Sequence, residues 1–217
     1  KGNKLDLSQV YEKPQDGMNI QLTIDYNIQL SIERELDNAV KMFNPDMALA
    51  VVADPNTGEI LGMSSSPNYD SNNYSDYSLE ELSRNLPIWA SYEPGSTFKI
   101  LTALEYIREN PTDYDQYHYE CTGAYKITDR KISCYHAMKH GSVDLAKSFA
   151  KSCNSSFANI GMTLDRDRFG ETLDTFYFNS SLPLGLTHSK SSVVVSSDTS
   201  DAEMMQVSIG QGSTLIK

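Results

Sequence analysis

Residues 93–99 read Glu93-Pro94-Gly95-Ser96-Thr97-Phe98-Lys99, and this stretch guides the interpretation of the whole chain. Pro94 and Gly95 favour a turn, and the pattern after Ser96 predicts a helix that continues to about Glu109 and ends before Pro111. A serine that opens a helix presents its hydroxyl beside free backbone N–H groups, where negative charge is stabilised. Lys99 lies one turn further along, on the same face. If burial makes its ammonium give up a proton, Lys99 can activate the hydroxyl of Ser96 as a nucleophile. The apolar residues predict that this helix buries a second face, formed by Ile100, Leu101, Leu104 and Ile107.

A second Ser-x-x-Lys match, Ser148-Phe149-Ala150-Lys151, makes the pattern alone a weak signal. Ser148 falls inside a predicted helix with no turn before it, so nothing directs its side chain towards a cleft. The alternative for Ser96 is an ordinary serine that caps a helix. The turn before Ser96 favours this serine over Ser148 as the nucleophile.

Ser152-Cys153-Asn154 lies between two predicted helices, residues 142–151 and 155–164. A short break at this point would expose a hydroxyl and an amide together. The hydroxyl could pass a proton to a leaving amine, and the amide could hold a peptide carbonyl. Other Ser-x-Asn matches lie in or beside a polar loop over residues 64–78, where turns are expected. These matches begin at Ser66, Ser71 and Ser83.

The N-terminal third of the chain predicts a strand, a helix and a hairpin in turn. Residues 20–24 alternate between apolar and polar side chains, which favours a strand. Asp25 is expected to cap a helix, and residues 48–53 and 60–63 form a predicted hairpin. Followed by a helical block, this order predicts an α+β fold. The buried stripe of the capped helix is expected to comprise Ile28, Ile32, Leu36 and Val40.

Taken together, these motifs resemble the transpeptidase domain of penicillin-binding proteins, in its monofunctional class B form. The resemblance implies a central antiparallel sheet with a helical block, incomplete in this chain. Residues 1–19 are then a linker or the tail of a missing N-terminal segment, and residues 20–217 are a partial transpeptidase domain. Further matching stretches are residues 22–25, 53–61, 66–70, 140–141 and 209–212.

The resemblance also implies a role for each candidate residue. Ser96 would attack the penultimate D-Ala carbonyl of a peptidoglycan stem peptide, with its backbone N–H as one oxyanion donor. Lys99 would act as the general base and Ser152 as a proton shuttle. Asn154 would hydrogen-bond Lys99 and the substrate amide. No cofactor and no metal ion are expected.

One element of the family pattern is missing from the sequence. Neither Lys-Thr-Gly nor Lys-Ser-Gly occurs between Lys1 and Lys217. In the family this element lies beyond the Ile-Gly-Gln-Gly stretch and supplies the other oxyanion donor. We therefore expect a C-terminally truncated chain that is weakly active or inactive by itself.

Charge and the resemblance together define the expected partners. A formal net charge of −11 disfavours nucleic acid. The resemblance implies peptidoglycan stem peptides, β-lactam antibiotics and other cell-wall synthesis proteins as partners. It places a membrane-anchored parent protein in the bacterial cell envelope, on the outer face of the cytoplasmic membrane. The alternatives are a serine β-lactamase, a β-lactam sensor domain, or a non-catalytic scaffold module with the same fold.

The cysteines allow three interpretations. Two free thiols at Cys121 and Cys134 are favoured over a disulfide between them, which would close a short loop. A zinc site that also uses His136 and His140 is disfavoured, because zinc-binding cysteines usually lie two to four residues apart.

Overall fold

The chain divides between Pro67 and Asn68 into two compact units. The computed structural model describes residues 13–83, 85–128 and 130–216, so residues 1–12 of the predicted linker lie outside the described residues. Helices are combined with short antiparallel strand pairs, and the predicted α+β class is confirmed. In the part of the chain that is described, no helix has the length and apolar character needed to span a bilayer.

The N-terminal unit contains helix α1 (Tyr26–Phe43) and the antiparallel hairpin of β1 (Ala48–Ala53) and β2 (Ile60–Ser66). Asp25 caps α1 as predicted, accepting hydrogen bonds from the backbone N–H groups of the next turn. The hairpin is confirmed, and β2 extends past the predicted end at Met63. The turn is closed by a hydrogen bond of 2.8 Å from the Gly58 N–H to the Asp54 carbonyl.

The strand predicted over residues 20–24 is wrong. Residues 13–25 have no regular secondary structure, and Ile20 and Leu22 are 87% and 72% exposed. Within the described chain, the backbone of this segment makes one hydrogen bond to β2, from the Asp25 N–H to the Leu61 carbonyl at 2.8 Å. Alternating side chains cannot make a strand without a continuous ladder to a neighbour.

The second unit combines helices with two small strand pairs. Strands β3 and β6 pair antiparallel, as do β4 and β5. The predicted helix over residues 142–151 begins later than expected because residues 141–143 form a strand, while the predicted helix over 155–164 is confirmed within a residue. The elements are α2 (Leu79–Ser83), α3 (Leu86–Trp89), α4 (Lys99–Glu109), β3 (Tyr119–Cys121), β4 (Ala124–Ile127), β5 (Arg130–Ser133), β6 (Gly141–Val143), α5 (Leu145–Ala150), α6 (Asn154–Thr163), α7 (Arg166–Thr175) and α8 (Asp201–Val207).

Helix α6 forms the centre of this unit, between α4 and α8. Its Phe157 and Ile160 side chains are fully buried. Gly161 lets α6 lie close to the end of α8, since a Cβ atom there would lie 1.7 Å from the Ser208 hydroxyl. The Thr102 hydroxyl of α4 donates a hydrogen bond of 3.0 Å to the Ser208 carbonyl, so all three helices meet at one point.

The predicted apolar face of α4 is only partly buried. Ile100 is 58% exposed and Ile107 is 36% exposed. The buried face instead carries Lys99, Glu105 and two smaller residues. Polar groups tolerate burial where they have hydrogen-bond partners, and Glu105 accepts a hydrogen bond from the Thr172 hydroxyl of α7.

Candidate active site

Ser96 lies in a 3₁₀ turn, Gly95–Phe98, that leads directly into α4. Ser96 is exposed, whereas Phe98 is 3% exposed. The ring of Phe98 makes edge contacts with the rings of Phe169 and Phe178, at centroid distances of 6.4 and 5.7 Å. The turn is therefore anchored in the core at one end and presents the Ser96 hydroxyl to solvent.

The stretch that follows α8 holds this turn in place. The Gly95 N–H donates a hydrogen bond of 2.8 Å to the Gly210 carbonyl, and the Gly212 N–H donates one of 3.1 Å to the Glu93 carboxylate. Gly210 has a φ of 70°, and a Cβ atom at this position would lie 2.2 Å from the Gly95 carbonyl oxygen. Only glycine fits this close approach, so Gly210 allows the stretch after α8 to pack directly against the turn that contains Gly95.

Lys99 connects the candidate nucleophile to the Ser152–Asn154 segment. Its Nζ atom lies 3.2 Å from Ser96 Oγ and 2.6 Å from Asn154 Oδ1. It also lies 2.9 Å from both the hydroxyl and the carbonyl oxygen of Ser152. An ammonium has three protons to donate, whereas a neutral amine has two and gains a lone pair. With the Asn154 and Ser152 oxygens as acceptors, the neutral amine can direct that lone pair at the Ser96 hydroxyl.

The environment of Lys99 shifts its protonation equilibrium towards the neutral amine. The side chain is 1% exposed, and burial lowers the pKa of Lys99 to about 8, against the smaller opposing effect of Cys153 and Cys134. None of the ion pairs found among the described residues includes Lys99. The ammonium position instead lies 5.5 Å from the centre of the Phe157 ring. A buried amine without a carboxylate partner is suited to accept a proton near neutral pH.

Ser152 and Asn154 occupy the predicted break between two helices. Ser152 has a φ of 48°, in the left-handed region that non-glycine residues seldom adopt. Asn154 is the first residue of α6, and its Nδ2 group donates a hydrogen bond of 3.0 Å to the Ser133 carbonyl. Backbone strain of this kind is often found at functional sites, where the surrounding structure maintains it.

The second Ser-x-x-Lys match has none of these features. Ser148 is fully buried, and its hydroxyl lies 2.7 Å from both the Asp144 carbonyl and the Ser156 hydroxyl. Lys151 is exposed. Ser148 is therefore a structural residue of the core.

Cys153, in the middle of the Ser152–Asn154 segment, belongs to a cluster of three cysteines. Cys121, Cys134 and Cys153 are free and buried, and a ring nitrogen of His140 joins them. The zinc alternative derived from the sequence includes His136, but that side chain is exposed and makes an edge contact with the ring of Tyr135. Cys153 takes its place in the cluster. The sequence signal that could have pointed to Cys153 is its position inside the Ser152-Cys153-Asn154 motif.

Ser-x-x-Lys and Ser-x-Asn motifs on one α+β domain are the combination found in serine β-lactamases and penicillin-binding proteins. A profile of the penicillin binding protein transpeptidase domain matches residues 48–217. The chain belongs to this family.

Two curated relatives illustrate the similarity. Stage V sporulation protein D of Bacillus subtilis is 37% identical over 185 residues, which cover 82% of this chain and 28% of that protein. Peptidoglycan D,D-transpeptidase FtsI of Escherichia coli K12 is 31% identical over 200 residues, which cover 89% and 32%. The chain thus spans about a third of the length of these relatives.

Solved structures show the same fold. Penicillin-binding protein A from M. tuberculosis, in an imipenem acyl-enzyme complex, superposes with a TM-score of 0.76 at 24% identity, covering 89% of this chain and 48% of that one. A peptidoglycan glycosyltransferase from Burkholderia ambifaria superposes with a TM-score of 0.77 at 21% identity, covering 90% and 57%.

Proposed function

We propose that the chain carries the acyl-transfer centre of a peptidoglycan D,D-transpeptidase, with Ser96 as nucleophile. The observation that carries this proposal is the contact between Lys99 Nζ and Ser96 Oγ at 3.2 Å, with the lysine buried and the serine exposed. The name of the FtsI relative supports the same reaction.

In the proposed acylation step, Lys99 takes the hydroxyl proton as Ser96 Oγ bonds to the penultimate D-Ala carbonyl. The negative charge that develops on the carbonyl oxygen is stabilised by the Ser96 backbone N–H, in the turn that leads into α4. The bond to the terminal D-Ala nitrogen then breaks. Ser152, 2.9 Å from Lys99 Nζ, relays the proton to this leaving amine.

In the second step, the amine of another stem peptide attacks the Ser96 ester. A new peptide bond forms, the Ser96–acyl bond breaks, and the amine proton returns to the serine oxygen through Lys99. Asn154 keeps the lysine oriented through its Oδ1 atom, 2.6 Å away, and positions the substrate backbone. A β-lactam acylates the same serine but keeps its leaving group tethered, so the acyl-enzyme persists.

This function places the protein at the bacterial cell wall. We infer that it works in the cell envelope, on the outer face of the cytoplasmic membrane. Its substrates are peptidoglycan stem peptides, and its neighbours are other cell-wall synthesis proteins. The rest of a longer, membrane-anchored chain would hold the domain there.

The test uses the full-length protein with a donor peptide that ends in D-Ala-D-Ala and an amine acceptor. We expect release of D-Ala together with an amide-linked product, both lost in Ser96→Ala. Rapid hydrolysis of penicillin without transfer would identify a β-lactamase instead. A long-lived penicillin adduct without transfer would favour a sensor domain, and the absence of any adduct a scaffold module.

A further inference from the structure

Four side chains from separate segments converge next to the candidate active site. Cys121 ends β3, Cys134 follows β5, His140 precedes β6 and Cys153 precedes α6. Their three Sγ atoms and one ring nitrogen all lie within 4.8 Å of one another. Cys134 Sγ lies 3.7 Å from both Cys121 Sγ and Cys153 Sγ, and His140 Nδ1 lies 3.4 Å from Cys121 Sγ.

The two sulfur–sulfur distances of 3.7 Å and the nitrogen–sulfur distance of 3.4 Å match edges of a zinc tetrahedron. Zinc binds thiolate sulfur at about 2.3 Å and imidazole nitrogen at about 2.0–2.1 Å, so tetrahedral ligands lie about 3.8 Å (S to S) and about 3.5 Å (S to N) apart. We propose that Cys121, Cys134, His140 and Cys153 bind one Zn²⁺ in a closed, four-coordinate structural site. Binding releases the three thiol protons to solvent, while His140 binds as the neutral imidazole.

Simple packing of buried cysteines explains this arrangement less well than a metal site does. Strands β3 to β6 have three or four residues each. The buried apolar cluster beside them consists of the three cysteines, with Tyr119 packed against it. So small a core is typical of regions held together by a metal or a disulfide. Packing alone also gives no reason for an imidazole nitrogen to point at the sulfur atoms.

A disulfide leaves more groups unpaired than a metal does. Cys134 is equally far from Cys121 and Cys153, so either pairing would leave the third thiol and His140 outside the cross-link. Zinc engages all four groups at once. The Ser155 hydroxyl donates a hydrogen bond of 3.1 Å to Cys121 Sγ and lies 3.4 Å from the other two sulfurs, so it can serve as the outer hydrogen-bond partner of a metal-bound thiolate.

The proposed metal has a positioning role. Four protein ligands leave no open coordination position, so the ion does not act on substrate. Cys153 is covalently flanked by Ser152 and Asn154, and the Asn154 amide is hydrogen-bonded to the residue before Cys134. Fixing Cys134 and Cys153 on one ion therefore fixes the segment that contacts Lys99.

The test is elemental analysis of tag-free, full-length protein purified under reducing conditions without added metal. We expect about one zinc ion per chain. His140→Asn and Cys121→Ser should each reduce the zinc content at least tenfold. The matched control is His136→Asn, which removes the nearby exposed imidazole and should leave the zinc content unchanged.

A second measurement keeps the proposal testable if the variants fail to fold. Replacing the metal of the wild-type protein with Co²⁺ should produce the intense visible bands of a tetrahedral cobalt–thiolate centre. Wild-type protein that contains no zinc, carries iron or copper instead, or has a disulfide between any two of the cysteines would overturn the proposal. Equal zinc loss in His136→Asn and His140→Asn would overturn the ligand assignment. None of these measurements depends on transpeptidase activity, so the metal site and the proposed function can fail independently.

Discussion

Lys99 Nζ lies 3.2 Å from Ser96 Oγ, yet Lys99 is 1% exposed whereas Ser96 faces solvent. The two residues are one helical turn apart, so the contact itself follows from local geometry. The difference in exposure follows from the fold, because Lys99 points inwards to Asn154 while the turn lifts Ser96 outwards. A substrate can thus reach the nucleophile while its base stays desolvated.

Ser96 is expected to be the single acylation site. Intact-mass analysis of the full-length protein with penicillin should detect one adduct, lost in Ser96→Ala and retained in Ser148→Ala. Ser148 is the matched control because it belongs to the same Ser-x-x-Lys pattern, but its hydroxyl is buried and hydrogen-bonded. An adduct that survives in Ser96→Ala would show that the nucleophile is another residue.

Lys99→Arg should lower the acylation rate by about 10²–10⁴-fold, the usual contribution of a general base. Guanidinium keeps its positive charge and can still donate to Asn154, but it cannot accept the serine proton. The rate is measured with a fluorescent penicillin. Lys151→Arg, at the exposed lysine of the second motif, is the control and should react like the wild type. Wild-type rates in Lys99→Arg would exclude Lys99 as the base.

Acylation should accelerate as the pH rises through about 8. Burial lowers the pKa of Lys99 to about 8, so the ammonium predominates below this pH and the reactive neutral amine above it. The rate at the plateau should be about tenfold higher than at one pH unit below the pKa. A rate that is flat across this interval, or that falls with pH, would contradict a role for neutral Lys99.

Loss of the proposed zinc should slow acylation through the Ser152–Asn154 segment. Chelation of the full-length protein should reduce the penicillin acylation rate by at least tenfold, because misplacing Asn154 and Ser152 releases Lys99 from its orientation. Added Zn²⁺ should restore the rate. His136→Asn is the control and should respond to chelation as the wild type does. An unchanged rate in protein shown to have lost its zinc would remove the positioning role but leave the metal site.

Local signals predicted the parts of the fold that depend on nearby residues. The Asp25 cap and the turn between β1 and β2 are stabilised by hydrogen bonds within a few residues. The Ser96–Lys99 pair is equally local. The strand over residues 20–24 failed because a strand needs a distant partner, which side-chain alternation does not reveal.

The errors near the site have a different cause. Helix α4 was expected to bury its apolar face, but a site buries polar groups that distant residues satisfy, as Asn154 does for Lys99. Cys153 was missed because its partners, Cys134 and His140, lie on other segments and meet it only in the folded chain. Spacing along the chain disfavours a metal site at Cys121 and Cys134, and it does not reveal that Cys153 joins them.

Gly210 is expected to be essential for the geometry of the Ser96 turn. In Gly210→Ala, a Cβ atom would lie 2.2 Å from the Gly95 carbonyl oxygen at a φ of 70°, so the turn must move. We expect the acylation rate to fall by at least tenfold, since small misplacements of a nucleophile are costly. We also expect the free energy of unfolding to decrease by about 1–3 kcal/mol.

The matched control separates the steric contact from backbone strain. Gly185 has a φ of 66°, nearly the same as Gly210, but a Cβ atom there would have nothing within 4 Å. Gly185→Ala should therefore lose about 1 kcal/mol of stability through strain alone and keep the wild-type acylation rate. Acylation rates and thermal unfolding are compared for both variants in the full-length protein. Equal rates in Gly210→Ala and Gly185→Ala would mean that the contact between Gly210 and Gly95 does not position Ser96.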